Sequence, residues 1–345
     1  MNKFNIKEKI SSIFSFKEEK NYNFTLSADS VETSQTPIDT DELLDTKYKN
    51  IFTSLDVNLE YLKVKYNSLI NSDVIIREFT LNARNKTFNA FIIYIDGMTD
   101  SQMINHSILR PLMLKNFSNS FNGEQTHVIS EAVTNNISVK KIKKFSLVDY
   151  IYNSLVPQNS IEKISDFKSA LSGINMGNCI LFVDTINIAF NLDVKGFKQR
   201  SISSPQNETI VRGSQEGFVE IIRTNTSILR RLVNNENLVI ENLNVGKISK
   251  TACAVCYMKN IANDDLVAEV KYRINNLNID YLISSGQLEH LIVDNQNISL
   301  PQLIATERPD RVANYLLEGR VAIIINGNPY VLVTPRNILR FLIYF

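Results

Sequence analysis

The sequence predicts an α/β (α+β) protein of two subdomains, each a mixed β-sheet with packed helices. Three observations support this prediction. The 345 residues are enough for two domains of ordinary size. Short apolar runs of strand length, such as 90–95 and 321–325, recur along the chain. Between them lie segments whose apolar residues recur at helical spacing, and such alternation is typical of layered folds of helices and sheets.

The distribution of polar and apolar residues divides the chain into four parts. Residues 1–42 comprise a basic amphipathic N-terminus and a polar linker. Residues 43–156 form the predicted first subdomain, and residues 157–335 form the predicted second subdomain. The boundary is placed at the polar stretch that begins with Pro157. Residues 336–345 form a short tail.

The composition argues against several classes of protein. The chain has 37 Lys and Arg against 36 Asp and Glu, and this balance gives no basic footprint for nucleic acid. Its three cysteines do not make a disulfide framework and suit a reducing compartment. The first twenty residues mix charges among apolar positions, so we expect no signal peptide.

The amino-terminal segment has an apolar helical face. Ile6, Ile10, Ile13 and Phe14 share this face, and lysines surround it. A basic amphipathic helix of this kind is typical of membrane surfaces, whereas chain ends are often locally packed or poorly ordered. Both interpretations stay open, and the usual behaviour of chain ends favours the second.

The first subdomain is predicted to begin with a helix around 55–64, where leucines recur among polar residues. Strands follow at 74–80 and 90–95. The second of these is almost wholly apolar, so we expect it to be covered on both faces. A helix over 99–114 then leaves this strand.

Asp96 and Gly97 end the second predicted strand. A carboxylate at the carboxyl end of a strand is where α/β proteins often place a metal or a catalytic group. An Asp-Gly pair is more often only a turn, because both residues accept turn conformations readily. We favour the turn.

The second subdomain is predicted to open with a helix over 161–173 and a hairpin of strands at 178–183 and 186–192. Its later part alternates helices and strands as well. The elements expected there are strands at 238–243, 251–258, 321–325 and 330–333 and helices at 264–275 and 281–291.

A polar loop and a capped helix form the central part of the second subdomain. Ser214 is a good N-cap for a helix whose apolar face includes Phe218. A glycine before a helix start can bind phosphate, but this loop lacks the known phosphate-binding spacings, and Glu216 would repel an anion. We therefore predict an ion-pair network that fixes the loop against the helix or contacts a neighbouring subunit. Its members are Glu208, Arg212, Glu216, Glu220 and Arg223.

Cys253 and Cys256 form a Cys-x-x-Cys pair on a predicted strand. Residues three apart on a strand point to opposite faces, so these two thiols should not meet at a metal or redox centre. We predict two buried core cysteines instead.

The sequence offers no assembly of catalytic groups. It has three histidines, and no nucleophile with a paired base can be assembled from it. We therefore expect no enzyme, no catalytic residue, no cofactor and no metal site.

Three motifs, in order along the chain, resemble those of one protein family. The first is Tyr94-Ile95-Asp96-Gly97-Met98, and the second lies within 202–226 and contains Arg212-Gly213 and Glu216-Gly217-Phe218. The third comprises Glu307-Arg308-Pro309-Asp310, Leu317-Glu318-Gly319-Arg320-Val321-Ala322 and Asn326-Gly327-Asn328-Pro329. Together they resemble the soluble N-terminal region of bacterial spore germinant receptor A subunits, the GerA family. The resemblance covers roughly residues 70–335.

The resemblance implies a soluble region in two parts, followed by a membrane-spanning region. Members of the family work with B and C subunits in the inner spore membrane, and their soluble region faces the spore core. They are associated with nutrient sensing and ion release rather than with substrate turnover. The A subunit is thought to oligomerise and form the ion-conducting part. The sequence of the tail 336–345 differs from the segment that leads to the membrane in the family. In the family, the membrane-spanning region would follow at this point of the chain.

We therefore expect a receptor portion that acts in nutrient-triggered germination through subunit interaction and signal transmission. The network from Glu208 to Arg223 would supply contacts between domains or subunits. Glu307, Arg308 and Asp310 would anchor the last predicted helix, which begins at Pro309 and is stopped by Gly319. The alternative is a soluble module that binds a small-molecule germinant in the cleft between the domains.

Overall fold

The computed structural model of the protein describes residues 48–83, 86–114, 146–196, 208, 214–293 and 302–335. These residues form two five-stranded β-sheets, each packed against helices. The predicted α+β class with two subdomains is confirmed. The predictions for residues 1–42 and for the tail 336–345 lie outside the described residues.

The first sheet lies between two layers of helices. Its strands are β1 (Val74–Ala83), β2 (Lys86–Ile95), β3 (Ile161–Ile164), β4 (Cys179–Val183) and β5 (Ala189–Leu192), in the order β1-β2-β4-β5-β3. One face packs against α1 (Leu55–Lys65) and α5 (Phe167–Asn175). The other face packs against helical segments that include π turns: α2 (Ser101–Met103), π1 (Ile104–Leu109), α3 (Arg110–Met113), α4 (Leu147–Tyr150) and π2 (Ile151–Leu155).

The second sheet has the same layered plan. Its strands are β6 (Leu238–Val245), β7 (Thr251–Met258), β8 (Ile304–Thr306), β9 (Val321–Ile325) and β10 (Val331–Thr334), in the order β6-β7-β9-β10-β8. One face packs against α7 (Asp264–Asn275) and α8 (Ser285–Ile292), and the other against α6 (Ile222–Leu232) and α9 (Pro309–Leu317). Among the described helices, none combines the length and apolarity needed to cross a membrane.

The pairing within the sheets differs from the prediction of mixed sheets. Every neighbouring pair of strands in the two sheets is antiparallel. Short turns join β1 to β2, β4 to β5, β6 to β7 and β9 to β10, and a short turn can join only antiparallel neighbours. Alternation of helices and strands in the sequence did not distinguish these hairpins from parallel crossovers.

The predicted boundary at Pro157 does not separate the two sheets. Residues 161–192 supply β3, β4 and β5 to the first sheet, where Leu181 of β4 pairs with Ile92 of β2. The helix predicted at 161–173 begins instead as the edge strand β3, and α5 follows it. The polar composition of 157–163 therefore reflects an exposed sheet edge, where charged residues are common, and not a boundary between subdomains.

The most apolar predicted strands are buried on both faces. In β2, Phe91 and Ile93 contact the core layer with α1 and α5, while Ala90 and Ile92 contact the opposite layer. All five residues of β9 are buried. Both strands lie inside their sheets and are covered by helices on each side. This explains why polar and apolar residues do not alternate along them.

Candidate functional site at the junction of the two subdomains

Helix α6 connects the second subdomain to the first. Leu229 packs into the core beneath the second sheet, and two arginines of the same helix contact the first subdomain. The helix begins at Ile222, whose N–H donates to Oδ1 of Asn326 in the β9–β10 turn. Ser214, the predicted cap, lies eight residues earlier and its hydroxyl accepts from the N–H of Glu216. Asn225 binds both backbone groups of Val219, which keeps the chain irregular up to the true start.

A buried ion pair lies at the centre of the junction. Arg230 donates from Nε to Oδ2 of Asp73 over 2.8 Å and from Nη2 to Oδ1 over 2.7 Å. Asp73 belongs to the first subdomain, directly before β1. The two side chains are only 2% and 1% exposed. Two parallel bonds of this kind fix both the distance and the orientation of the partners.

The chain before Asp73 extends the junction along the second sheet. Oδ1 of Asn71 accepts from Nη2 of Arg230 and from the N–H of Ile240, each over 2.9 Å. Ser72 donates its N–H to the carbonyl of Ile240 over 2.9 Å, and its hydroxyl accepts from the N–H of Asn242. Residues 71–72 therefore cover the outer edge of β6, and the backbone itself joins the two subdomains.

A second ion pair lies beside the buried one and is partly exposed to solvent. Nη2 of Arg223 lies 3.0 Å from Oδ2 of Asp96. Asp96 is held next to Asp73, whose carbonyl accepts from the N–H of Asp96. Arg223 and Arg230 are seven residues apart, about two helical turns, so they lie on one face of α6. We call the set of Asp73, Asp96, Arg223 and Arg230 the α6 clamp.

Gly97 lets the exposed pair form. Its φ of +86° lies in the left-handed region, and a Cβ at this position would come within 2.9 Å of Cδ of Arg223. The aliphatic part of Arg223 therefore packs directly on the glycine backbone. The turn predicted at Asp96 and Gly97 is confirmed, and the carboxylate of Asp96 binds an arginine. Among the described residues, no group of His, Cys, Asp and Glu is arranged to hold a metal ion.

Tyr66 supports a third contact between the subdomains, which Asn175 and Glu236 make. Its hydroxyl donates to Oδ1 of Asn175 over 2.9 Å, and Nδ2 of Asn175 donates to Oε2 of Glu236 in the second subdomain. Nζ of Lys65 lies 3.8 Å from Oε1 of the same glutamate. Burial, and then the negative charge of Glu236, raise the pKa of Tyr66 well above its ordinary value. The phenol therefore stays protonated and keeps its role as a donor.

The predicted network of the central loop is tied to other parts of the molecule. Glu208 accepts from Oγ1 of Thr306 over 2.7 Å and pairs with Arg311 of α9. Glu216 pairs with Arg231 of α6. These partners, like Asp96 for Arg223, lie outside the predicted group, and mutual pairing within the group, which includes Arg212, stays a prediction.

Of the other two members of the network, the structure describes Glu220 and not Arg212. The carbonyl of Glu220 accepts from the N–H of Gly327 over 2.7 Å. Arg212 lies outside the described residues. Arg223 has an ion pair that joins the subdomains, and the interaction roles of the other candidates stay predictions.

Glu307, Arg308 and Asp310 surround the start of α9. The carbonyl of Glu307 accepts from the N–H of Phe218, and the guanidinium of Arg308 binds both carboxylate oxygens of Asp310. The hydrogen bonds that Arg308 donates to Asp310 raise the pKa of Arg308. Burial would raise the pKa of Asp310, but the hydrogen bonds and charge of Arg308 outweigh it and lower that pKa below its ordinary value.

The two cysteines of β7 occupy opposite faces of the second sheet, as predicted. Cys253 lies in the core layer with α7 and α8, and Cys256 lies in the layer with α6 and α9. Burial raises the pKa of Cys253 to about 12 and that of Cys256 still further. Both thiols are therefore protonated and unreactive at neutral pH.

The sequence did not identify Asp73, Asn71 or Arg230 as junction residues. One feature of the sequence could have indicated Arg230: it follows Leu229 directly, on the apolar face of an amphipathic helix. A charged residue on a buried face needs a partner. The sequence cannot say which of the carboxylates along the chain supplies it.

Most of the chain is similar to one family of proteins. Residues 60–344 match the sequence model of the family described as Bacillus/Clostridium GerA spore germination protein. Spore germination protein KA of Bacillus subtilis (strain 168) is 32% identical over 291 residues, which are 84% of this chain and 48% of that protein. Spore germination protein B1 of the same organism is 32% identical over 294 residues, 85% of this chain and 54% of that protein. The chain spans about half the length of these curated relatives.

A solved structure has the same architecture. The crystal structure of the N-terminal domain of the A subunit of the Bacillus megaterium spore germinant receptor GerK3 aligns with a TM-score of 0.58 and 27% identity. The alignment covers 84% of this chain and 97% of that domain. Similarity in sequence and in fold therefore extends over both subdomains.

Proposed function

This chain belongs to the GerA family of spore germination proteins, and from this premise we propose that it acts as the N-terminal region of a germinant receptor A subunit. Its task is to make contacts with other subunits and to transmit a signal in nutrient-triggered germination. The receptor complex is a membrane assembly linked to ion release. The similarity to the N-terminal domain of the GerK3 A subunit supports the assignment to this region.

The observation that carries the signalling role is the α6 clamp. A contact made at one subdomain can act on the other only if the two move together. The buried pair of Arg230 and Asp73 resists separation, because pulling it apart would leave charges uncompensated away from water. The clamp thus gives the region the stiffness that transmission needs.

The partners we propose are the B and C subunits of the receptor and further copies of the A subunit. The site of action is the inner membrane of the spore, with this region on the side of the spore core. The interaction residues proposed for these contacts are Glu208, Arg212, Glu216 and Glu220 of the central loop. Arg223 was predicted with them and also belongs to the α6 clamp. Glu307, Arg308 and Asp310 fix the start of α9 beside them.

We propose that the region works by binding and not by catalysis. The family is a spore germination family, and the titratable groups with the clearest structural roles are engaged in pairs that hold elements together. No cofactor enters the proposal.

The proposal is tested by charge reversal in spores. Arg212→Glu should impair nutrient-triggered germination or the assembly of the receptor, because it reverses a charge in the proposed contact loop. Lys168→Glu is the matched control, since Lys168 is an exposed lysine on α5. Germination is followed by the fall in optical density after addition of nutrient, and assembly by immunoblots of the inner-membrane fraction. Normal germination and assembly with Arg212→Glu would contradict the proposal.

A thermal-shift assay examines the competing function, a soluble module that binds the germinant in the cleft between the subdomains. A ligand that binds only the folded form raises the unfolding temperature by mass action. Amino acids and sugars should leave the unfolding temperature of the isolated chain unchanged if our proposal holds. A saturable rise with one of them would favour the binding module instead.

A further inference from the structure

One end of the second sheet brings three loops together. Thr334, at the end of β10, pairs with Val321 at the start of β9, and Met258 at the end of β7 pairs with Leu238 at the start of β6. The loops at this end are 66–70 of the first subdomain and 259–262 and 317–320 of the second. Because β10 ends here, we call this the exit end.

Specific contacts show that the three loops are neighbours. Nζ of Lys259 donates to Oδ1 of Asn67 over 2.6 Å, which joins the first loop to the second. Gly319 lies against the second loop, since a Cβ on it would come within 2.8 Å of the carbonyl oxygen of Ile261.

Each loop presents an exposed apolar side chain. Leu69 is 100% exposed, Ile261 is 45% exposed and Leu317 is 52% exposed. A stable protein interface buries roughly 800 Å² per partner in a continuous patch. The first loop also exposes Ile70, at 44%. One or two side chains on each of several separate loops suit such a patch poorly. They suit a lipid surface well, because fluid headgroups and acyl chains close around each inserted side chain.

The path of the chain points to the same surface. Nη1 of Arg320 donates to the carbonyl of Pro335 over 3.2 Å, and Nη2 of the same residue lies 3.0 Å from Glu318. Pro335, just after β10, is therefore held by Arg320, three residues from Leu317 in the sequence. In the proposed function, the membrane region of the receptor follows Pro335.

We propose that the exit end rests on the lipid surface, with Leu69, Ile261 and Leu317 inserted among the headgroups. This inference rests on the proposed function, because it uses the position of the membrane region. The charges nearby give no net attraction to anionic lipid: Lys259 is exposed, Glu318 pairs with Arg320, and two aspartates begin α7. Docking is therefore driven by apolar insertion, and its salt dependence is weak.

The test uses the full chain held on phosphatidylcholine vesicles through a C-terminal hexahistidine tag and a nickel-chelating lipid. Single cysteines replace Leu69, Ile261 or Leu317 and are labelled with an environment-sensitive fluorophore. Cys179, Cys253 and Cys256 are buried, so they do not react with the label in the folded protein. Spin-labelled lipid then reports which labels reach the bilayer. A second set of proteins carries the tag at the amino terminus, to remove any bias from the tether.

The opposite end of the same sheet supplies matched controls. Ile248 and Ile283 are 79% and 69% exposed, on loops joined by the bond from the N–H of Ile248 to the carbonyl of Asp280. The turn with Ile248 follows the pairing of Val245 with Thr251, so it lies at the far end of β6 and β7. These positions have at least as much apolar exposure as Ile261 and Leu317 but lie away from the exit.

We expect spin-labelled lipid to quench the labels at 69, 261 and 317 severalfold more than those at 248 and 283, with either tether and at low or high salt. Equal quenching at the two ends, or none at the exit end, would overturn the proposal. So would stable binding of the exit end to a partner protein in place of lipid.

A second variant separates lipid docking from the proposed function. Leu69→Gln/Ile261→Gln/Leu317→Gln, without a tether, should bind vesicles severalfold less than the native chain, while Ile248→Gln/Ile283→Gln should bind like the native chain. Equal binding by both variants would overturn the docking. These measurements need no germination, so the docking can fail while the receptor role of the chain stands, and the reverse also holds.

Discussion

The two ion pairs of the α6 clamp use the same chemistry in different surroundings. Arg230 and Asp73 meet at 2.7 Å inside the protein, while Arg223 and Asp96 meet at 3.0 Å with more than a third of each side chain exposed. A buried pair cannot open without leaving charges away from water, whereas water replaces the partners of an exposed pair at little cost. Burial, more than pairing, therefore decides which contact holds the subdomains together.

This difference gives α6 a fixed part and a releasable part. Around Arg230, the helix is held by the ion pair, by Asn71 and by the edge of β6. Around Arg223, it is held by one exposed pair and by packing on Gly97. A partner that binds near Asp96 could thus change the exposed contact without separating the two sheets.

Breaking the buried pair should give the largest effect. Arg230→Met leaves Asp73 charged and buried, and we expect the free energy of unfolding to fall by about 3–5 kcal/mol. Urea denaturation measures the change. Arg231→Met is the matched control, since this neighbour on the same helix pairs with Glu216 at the surface and its loss should cost about 1 kcal/mol or less.

Replacing both members of the buried pair sharpens the same comparison. Arg230→Met/Asp73→Leu removes the unpaired charge, so it should be more stable than Arg230→Met alone. A double variant as unstable as the single one would mean that shape and not charge compensation matters at this position.

The glycine at the exposed pair should give the next effect. Gly97→Ala adds a side chain at a φ of +86° and presses it against Arg223, and we expect a loss of about 1–2 kcal/mol in unfolding free energy. Gly286→Ala is the control, because Gly286 lies in α8 with nothing within 4 Å of its added Cβ. Alanine there should stabilise the protein by about 0.5–1 kcal/mol. A loss at position 286 as large as that at 97 would contradict this account of Gly97.

Removing the exposed pair should have a smaller effect. Arg223→Gln should lower the free energy of unfolding by about 0.2–1 kcal/mol, and the difference from the native chain should shrink as salt is added. A loss as large as that of Arg230→Met, or one that salt does not change, would show that the two pairs are energetically alike.

The pair of Arg308 and Asp310 should give the smallest effect, seen as a dependence on pH. The folded-state pKa of Asp310 is lowered, so its contribution to stability is fully present above the ordinary carboxyl pKa and is lost as pH falls through the folded value. Asp310→Asn should therefore flatten the loss of stability in acid and leave its slope near neutral pH unchanged. An unchanged acid profile would contradict the role of Asp310.

Local pattern was enough to predict most of the fold. The apolar runs at 90–95 and 321–325 are central strands, and the turn at Asp96-Gly97 lies where predicted. The boundary at 157 failed because β3 is a four-residue edge strand whose charged residues look like those of a loop. Sheet membership depends on pairing between distant segments, and no local pattern contains that information.

The candidate site was predicted only in part. Arg223 was chosen for contacts between domains, and its ion pair with Asp96 joins the two subdomains. The stronger contact was missed, because Asp73 and Arg230 are 157 residues apart and the sequence offers many carboxylates as partners. Asp73 differs from the other carboxylates in being buried beside Arg230. Its burial depends on the tertiary fold and cannot be read from the sequence.

Native-state hydrogen exchange tests most directly the central claim that Arg230 and Asp73 make the two subdomains one cooperative unit. The most protected amides of β4 report on the first sheet and those of β9 on the second. In the native chain, both sets should exchange with the same free energy and the same dependence on urea, and in Arg230→Met the two should separate. Separate opening of β4 and β9 in the native chain, or coincident opening in Arg230→Met, would contradict the claim.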